Sequence, residues 1–217
     1  MITVPQATEK IIKRSRYLSE AMAKDLINAS SLARYIQAEV EELVFKKVTV
    51  SSIVMAIKRQ RGKFKSNFQS VTIFEEPPDM VVRSNLTLFY VKNSLTLLSK
   101  LSTVEKTSAG FQKKALFTYG RMETIILANK ITSESLRKIL ERESIVLCLT
   151  NVSAITIHLP EKAVASPGIF YFFIKSLAWE GINILDILST QTELSLIFEQ
   201  KDIHTAFGIL QSLFTKD

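Results

Sequence analysis

The sequence predicts an α+β protein in which a helical segment is followed by two α/β units of similar element order. Over residues 1–62, apolar residues recur at the spacings of helix faces. From residue 68 onward, β-branched and alternating runs predict short strands separated by helices. The same order of elements recurs over 85–150 and 153–214, with a period of about 70 residues. These patterns divide the chain into three predicted domains, which cover 1–66, 67–150 and 151–217.

Three helices are predicted in the first domain, over 8–27, 31–44 and 52–61. Ser51 is expected to cap the third helix, because its hydroxyl can accept a hydrogen bond from a free amide of the first turn. Gly62 follows the basic end of that helix and is expected to terminate it. We therefore expect a helical module that ends before the first strand.

The second domain is predicted to have the order βαββαβ. Ser94 opens its first helix, and Thr132 is expected to cap its second helix, over 133–142. Gly120 and Arg121 join two strands in a hairpin. The predicted strands cover 85–91, 114–119, 123–128 and 145–149.

The third domain repeats this order but lacks the last strand. Ser166 is expected to cap a helix that has Pro167 at its first position and ends at Gly181. A further strand over 70–74 precedes the repeats, and we expect it to fill the vacant sheet edge, because unpaired edges favour aggregation. The predicted strands are 154–159, 182–188 and 194–198, and the last helix is 202–214.

Composition narrows the class of protein. Apolar residues make up 47% of the chain, which is enough to build a core. No apolar run is long enough to span a bilayer, and the first residues lack the apolar stretch of a signal peptide. One cysteine excludes an internal disulfide framework. We therefore expect a cytoplasmic protein that does not bind a membrane.

Basic charge is concentrated in the first domain. Residues 1–66 hold 13 Lys and Arg against 6 Asp and Glu, whereas the remaining residues hold 15 of each. This asymmetry predicts a negatively charged partner for the first domain alone. The alternative is that the charges only form a solvated surface.

The segment 166–184 resembles the signature of ACT domains, and in particular the tandem regulatory domains of aspartate kinases. Pro167-Gly168 at a helix start and Gly181-Ile182-Asn183-Ile184 before the next strand carry the resemblance. It continues into Leu194–Phe198 and covers about 60 residues, whereas 85–150 matches only by element order. The resemblance implies two ferredoxin-like units, a regulatory role without catalysis, and a homodimer formed by sheets that pair side by side.

The resemblance also implies an amino-acid site where two such units meet. Free amides at the start of the helix would suit a carboxylate, and Gly168 would let a ligand approach the backbone. The alternative is that Pro167 and Gly168 only start a helix and that Asn183 only occupies a turn. The predicted ligand contacts are Ser166, Pro167, Gly168, Ile169, Asn183 and Ile184.

The first domain resembles a helix-turn-helix module, in which 31–36 would belong to the supporting helix. Thr49, Ser51 and Ser52 would open the recognition helix, where base contacts arise. The connector between the helices is longer than usual, so a packing or dimerisation module is the alternative. The residues predicted to neutralise phosphates are Lys46, Lys47, Lys58, Arg59, Arg61, Lys63 and Lys65.

The sequence contains no pattern of residues that predicts catalysis. His158 and His204 are far apart and have no cysteine pair nearby, so no metal site is predicted. No spacing suggests a nucleophile and its base. We predict a non-enzymatic protein without a cofactor. Two hypotheses follow: a ligand-responsive transcriptional regulator, or a stand-alone regulatory partner of an amino-acid biosynthetic enzyme such as aspartate kinase, without DNA binding.

Overall fold

The computed structural model describes residues 2–60, 62, 73–107, 115–163 and 165–215. The chain forms two compact units, 1–69 and 70–217. The first is called the helical unit and the second the sheet unit, and each is described by itself.

The helical unit contains four described helices. The single helix predicted over 8–27 is wrong, because the chain leaves the helical conformation at Ser15, with φ −95° and ψ 110°. The Ser15 hydroxyl accepts a hydrogen bond from Leu18 N and so caps the following helix, a role for which serine is well suited. The helices are α1 Val4–Arg14, α2 Arg16–Ala23, α3 Ala29–Val44 and α4 Val50–Gln60.

Helices α1, α3 and α4 contact one another around an apolar core. Gln60 Nε2 donates to the Pro5 carbonyl at 2.6 Å, which ties the end of α4 to the start of α1. The predicted cap at Ser51 is wrong, because the Thr49 hydroxyl accepts from Ser52 N instead. The core includes Ile11, Ile12, Leu32, Ile36, Val40, Ile53 and Ile57.

The sheet unit contains one antiparallel sheet of six described strands, in the order β2-β3-β1-β4-β6-β5. The strands are β1 Met80–Lys92, β2 Ala115–Tyr119, β3 Glu123–Asn129, β4 Ile145–His158, β5 Asp186–Ser189 and β6 Glu193–Glu199. The helices are α5 Leu95–Thr107, α6 Lys130–Ile139, α7 Ile169–Trp179 and α8 Ile203–Ser212, with short 3-10 helices over Glu161–Ala163 and Gln200–Asp202. Asn129 caps α6, so the predicted cap at Thr132 is wrong.

Strands β1 and β4 pair along most of their length and join two similar halves. The strands predicted over 145–149 and 154–159 form one strand, which passes through Asn151 in the left-handed conformation (φ 57°). Asn85 has the same φ in β1, and the register shifts beside both residues. The first half comprises residues 86–150, and the second half comprises residues 152–215 with the strand segment Met80–Arg83.

The vacant edge of the second half is filled by a different segment from the one predicted. Met80–Arg83 pairs with Ile157–Ala154 of β4, where strand 70–74 was expected to serve. Ile73 and Phe74 are not in a strand and pack on the core of the second half, whereas 70–72 lie outside the described residues. Strand β1 therefore belongs to both halves: its residues before Asn85 cover the edge of the second half, and its residues after Asn85 begin the first half.

Each half buries one face of the sheet beneath its own helices. Phe89 and Ile126 pack in one core with side chains of α5 and α6. Ile155 and Phe198 pack in another with side chains of α7 and α8. A further apolar cluster combines Leu88 and Leu127 of the first half with Leu188 and Ile197 of the second. Tyr90 Oη also donates to Asp186 Oδ2 at 2.9 Å, which joins β1 to β5 although β4 and β6 lie between them in the sheet. The sheet is therefore curled.

Candidate functional site

Helix α7 starts two residues later than the sequence predicts. Its N-cap is Gly168, with φ 86°, and no side chain caps the helix. Ser166 is not the cap, because its hydroxyl donates to the Lys162 carbonyl at 2.7 Å and so closes the preceding 3-10 helix. The left-handed φ explains the correction, since glycine alone adopts it without steric cost.

A cavity of about 590 Å³ opens at this helix start. It lies between the chain that leads into α7 and the turn that joins β5 to β6. Leu159, Ala163 and Ile169 form buried parts of its wall. The cavity is lined by Leu159, Ala163, Ser166, Gly168, Ile169, Phe170, Tyr171, Thr190 and Gln191. Ser166, Gly168 and Ile169 of the predicted set are thus brought together.

The other three predicted contacts do not line this cavity. Pro167 is exposed, Asn183 is exposed beyond the far end of α7, and Ile184 packs against the core of the second half. The 11 residues of α7 place Asn183 about 16 Å from the cavity end of the helix, whereas Pro167 lies at that end but is not part of the cavity lining. Residues 182–185 form a connection, so the strand predicted over 182–188 begins only at Asp186, and β5 lies at the edge of the sheet.

Sequence reasoning missed the contribution of the β5–β6 turn. Thr190 and Gln191 lie in a turn closed by a hydrogen bond from Thr190 N to Glu193 O at 2.9 Å. In an antiparallel sheet this turn lies at the same end as the last residues of β4. Leu159 N indeed donates to Thr192 O at 2.7 Å. The order of predicted strands was the signal that could have located these two residues.

The cavity combines apolar walls with a few polar groups. Side-chain polarity comes from Ser166, Tyr171, Thr190 and Gln191, and none of the nine lining residues carries a carboxylate, an ammonium or a guanidinium group. The amides and the dipole at the start of α7 favour an anionic group there. The arrangement suits a small molecule with one acidic group and an apolar body.

The first half has an equivalent helix start and hairpin turn, but its own side chains occupy the space between them. Asn93 N donates to Met122 O at 2.9 Å, as Leu159 N does to Thr192 O in the second half. The Asn93 side chain donates to Gly120 O at 2.8 Å and accepts from Thr124 Oγ1 at 2.7 Å. These bonds fix it across the hairpin turn.

The start of α5 is also occupied. The Ser94 hydroxyl accepts from Leu97 N at 2.9 Å and donates to Glu143 Oε2 at 2.8 Å. Lys100 lies 2.8 Å from Glu143 Oε1, and the Glu143 side chain is 3% exposed. The hydrogen bonds from Lys100 and Ser94 lower the pKa of Glu143 below its ordinary value. The start of α5 is therefore capped by Ser94, whose hydroxyl is bound by the Glu143 carboxylate, whereas the start of α7 has no side-chain cap.

The predicted DNA contacts lie at both ends of α4. Thr49, Ser51 and Ser52 are exposed at its start, and Lys58 and Arg59 are exposed in its last turn. Lys46 and Lys47 lie in the α3–α4 connection, where Lys47 Nζ is 2.9 Å from Glu41 Oε2. Arg61, Lys63 and Lys65 lie outside the described residues.

His158 and His204 are exposed on different elements, and the described residues contain no group of His, Cys, Asp and Glu that could hold a metal ion. No helix of the described chain is long and apolar enough to cross a membrane.

Comparison with known proteins identifies the fold. No model of a known protein family matches the sequence, and no curated protein does. The aspartate kinase of Clostridium acetobutylicum superposes with a TM-score of 0.52 and 12% identity, over 65% of this chain and 36% of the kinase. Escherichia coli aspartokinase III, in complex with aspartate and ADP, gives 0.51 and 16%, over 66% of this chain and 35% of that enzyme. The chain therefore spans about a third of these kinases.

A separate regulatory chain is matched almost completely. The regulatory subunit of Thermus flavus aspartate kinase superposes with a TM-score of 0.52 and 13% identity, over 63% of this chain and 97% of the subunit. The part of aspartate kinase that this protein resembles is thus the regulatory part. About two thirds of the chain therefore has the ACT-type fold of aspartate kinase regulatory domains.

Proposed function

We propose that this chain is a non-catalytic regulatory protein that senses a small molecule, an amino acid, in the cavity at the start of α7. The observation that carries the proposal is the uncapped helix start beside a cavity of about 590 Å³. The same end of the first half is closed by Asn93 and Glu143. A ligand in the second half would supply the interactions that the first half obtains from its own side chains.

The lining indicates the chemical class of the ligand. A carboxylate would accept hydrogen bonds at the start of α7, as carboxylates commonly do at helix N-termini. The hydroxyl of Thr190 and the amide of Gln191 can accept hydrogen bonds from an ammonium group. The apolar wall then favours an amino acid with an apolar side chain, such as leucine or phenylalanine, over one with a charged side chain.

The neighbouring proteins are consistent with this role. The Clostridium acetobutylicum kinase is described as an allosteric enzyme, and the Thermus flavus chain as a regulatory subunit. Regulation would require the ligand to bind one arrangement of the protein more tightly than another. Because β5 leads from the cavity turn to Asp186, the hydrogen bond from Tyr90 to Asp186 connects the cavity side to the first half.

A thermal-shift screen of the twenty amino acids at millimolar concentration tests this proposal. A ligand that binds only the native state must raise its stability, by about 2.7 kcal/mol when its concentration is 100 times Kd. We expect stabilisation by an apolar amino acid. Gln191→Ala should weaken the effect, whereas Arg121→Ala, at the matched turn position of the first half, should preserve it. No stabilisation by any amino acid would refute amino-acid sensing.

The same fold is consistent with a second role, as a stand-alone regulatory partner of an amino-acid biosynthetic enzyme such as aspartate kinase. The match to 97% of a separate regulatory subunit favours this alternative. Under it, the protein would not bind DNA, and the basic helical unit would serve packing.

The transcriptional alternative depends on the helical unit. Its support is the exposed start of α4, where the exposed residues Thr49, Ser51 and Ser52 follow Lys46 in the chain. Together with the 13 basic residues among 1–66, these groups fit a recognition helix flanked by phosphate contacts. A mobility shift with duplex DNA at several salt concentrations separates the two roles. Absence of binding at low salt would exclude the transcriptional role.

A homodimer is proposed through the free edge of β4. No described strand pairs with residues 145–150 on the side away from β1, and Ile145, Val146 and Leu147 are each at least 39% exposed. Residues 144–157 carry no charge, unlike the edge at Met80–Arg83, which follows two prolines and Asp79. Unprotected neutral edges favour pairing with another strand.

Light scattering after gel filtration tests this edge. Val146→Lys places a charge on the proposed interface and should produce monomers. Val81→Lys, on the protected edge, should leave the dimer intact. A monomeric wild-type protein, or a dimer that both variants preserve, would exclude this interface.

A further inference from the structure

The tip of the α3–α4 connection holds an aromatic residue in an unusual setting. Phe45 has φ 55° and ψ 33°, directly after the last residue of α3. Lys46 N donates to Glu41 O at 3.3 Å, the hydrogen bond of a helix end at which glycine is the usual left-handed residue. Phe45 is also 93% exposed. The residue thus bears a conformational cost and a hydration cost at once.

The fold gains little from this residue. A left-handed conformation is unfavourable for residues with a Cβ atom, and a side chain that is 93% exposed buries almost no area. Glycine or asparagine would satisfy the helix end at lower cost. A contact with a partner is the remaining use of the phenyl ring.

The connection is held firmly by side chains of α3. Glu41 Oε1 accepts from Val48 N at 2.9 Å, and Gln37 Nε2 donates to Val48 O at 2.9 Å. The bonds from Val48 and Lys47 lower the pKa of Glu41. Val48 is buried in the helical core. The ring is therefore presented in a preformed position, which reduces the entropy cost of binding.

We propose that Phe45 is a wedge that inserts between base pairs of double-stranded DNA, a role that rests on the proposed DNA binding of the helical unit. Charge identifies the partner, because Lys46, the next residue in the chain, is exposed and residues 1–66 have a net charge of +7. Such a surface repels a second copy and attracts a polyanion. Exposed apolar side chains beside basic groups are known to unstack base steps.

The test measures binding of the full chain to a short mixed-sequence duplex that contains 2-aminopurine. Phe45→Gly should weaken binding roughly 5- to 100-fold, the range of aromatic–base stacking. The slope of log K against log salt should stay unchanged, because the ring carries no charge. Lys46→Gln should instead reduce that slope by about one. Phe45→Trp should retain binding and the rise in 2-aminopurine fluorescence that reports unstacking.

Stability provides the second readout. Phe45→Gly should melt at or above the wild-type Tm, because it relieves the left-handed strain, and Leu26→Ala is a control for loss of another exposed apolar side chain. Wild-type affinity of Phe45→Gly, or a marked loss of its Tm, would overturn the wedge. If Phe45 contributed to binding of single-stranded DNA but not of the duplex, double-stranded DNA would be excluded as the partner of the ring. No duplex binding by the wild type would instead overturn the DNA-binding proposal itself.

Discussion

The two halves of the sheet unit have the same order of elements but finish the same end of the fold differently. In the first half, two residues join β1 to α5, and Asn93 and Ser94 provide the bonds that close the turn and cap the helix. In the second half, ten residues join β4 to α7, and the helix starts at Gly168 without a cap. The comparison teaches that one architecture can satisfy a helix start internally or leave it accessible to a ligand.

The largest expected effect tests whether the halves are one folding unit. Leu101→Ala removes a side chain of α5 that is 0% exposed and should destabilise the unit by about 2–5 kcal/mol. Trp179, the only tryptophan, lies in α7 of the second half. Because β1 and β4 are shared, urea unfolding followed by Trp179 fluorescence should detect the full loss. An unchanged Trp179 transition would mean that the halves unfold separately.

The buried carboxylate of the first half should give the next largest effect. Glu143→Gln removes its charge and should cost about 2–3 kcal/mol, as for a hydrogen-bonded buried ion. The folded pKa of Glu143 is lowered from 4.5, so its stabilisation is present above about pH 4.5 and is lost as pH falls through the folded pKa. Urea unfolding at a series of pH values between about 3 and 7 measures this loss of stability, because the range includes the ordinary pKa values of carboxylates. Glu141→Gln, on an exposed neighbour, should leave the pH dependence unchanged.

The side chain that closes the first turn should contribute less. Asn93→Ala leaves Thr124 Oγ1 without its acceptor, in a residue that is 0% exposed, and should cost about 1–2 kcal/mol. Adding Thr124→Val should recover part of this loss, because both partners are then absent. A double variant as unstable as the sum of the single variants would show that the bond contributes no coupling.

The smallest effect is expected for the exposed ion pair between Glu75 and Lys162. Glu75 lies 2.8 Å from Lys162, but the two side chains are 82% and 72% exposed. Lys162 lowers the pKa of Glu75. Water and salt screen such pairs, so Glu75→Gln should leave the urea midpoint unchanged. A loss as large as that of Glu143→Gln would contradict the contrast between the buried and exposed pairs.

Local patterns predicted much of the sheet unit. The hairpin of β2 and β3 follows from two apolar runs around Gly120, and β6 follows from the run 194–198. The continuity of β4 could not be predicted from local sequence. Asn151 is a residue type typical of turns, yet here it adopts the left-handed conformation within a strand. The covering of the second half's edge by Met80–Arg83 depends on pairing between distant strands, which local spacing does not specify.

The candidate site was predicted only in part. Ser166, Gly168 and Ile169 were assigned by resemblance and line the cavity together, because they are near neighbours in the sequence. Thr190 and Gln191 reach the cavity through the sheet, about 20 residues later in the chain. Asn183 was assigned by resemblance and lies at the opposite end of α7. Whether Asn183 contacts a ligand stays a prediction.

Hydrogen exchange of the full chain, with and without L-leucine or L-phenylalanine at millimolar concentration, tests whether only the second half binds the amino acid. Each half has a helix start and a turn at the same end of the fold, so each serves as the control for the other. We expect added protection at 166–172 and 190–192 and none at 93–97 and 120–122. Equal protection in the two halves, or protection confined to the first, would contradict a single site at the start of α7.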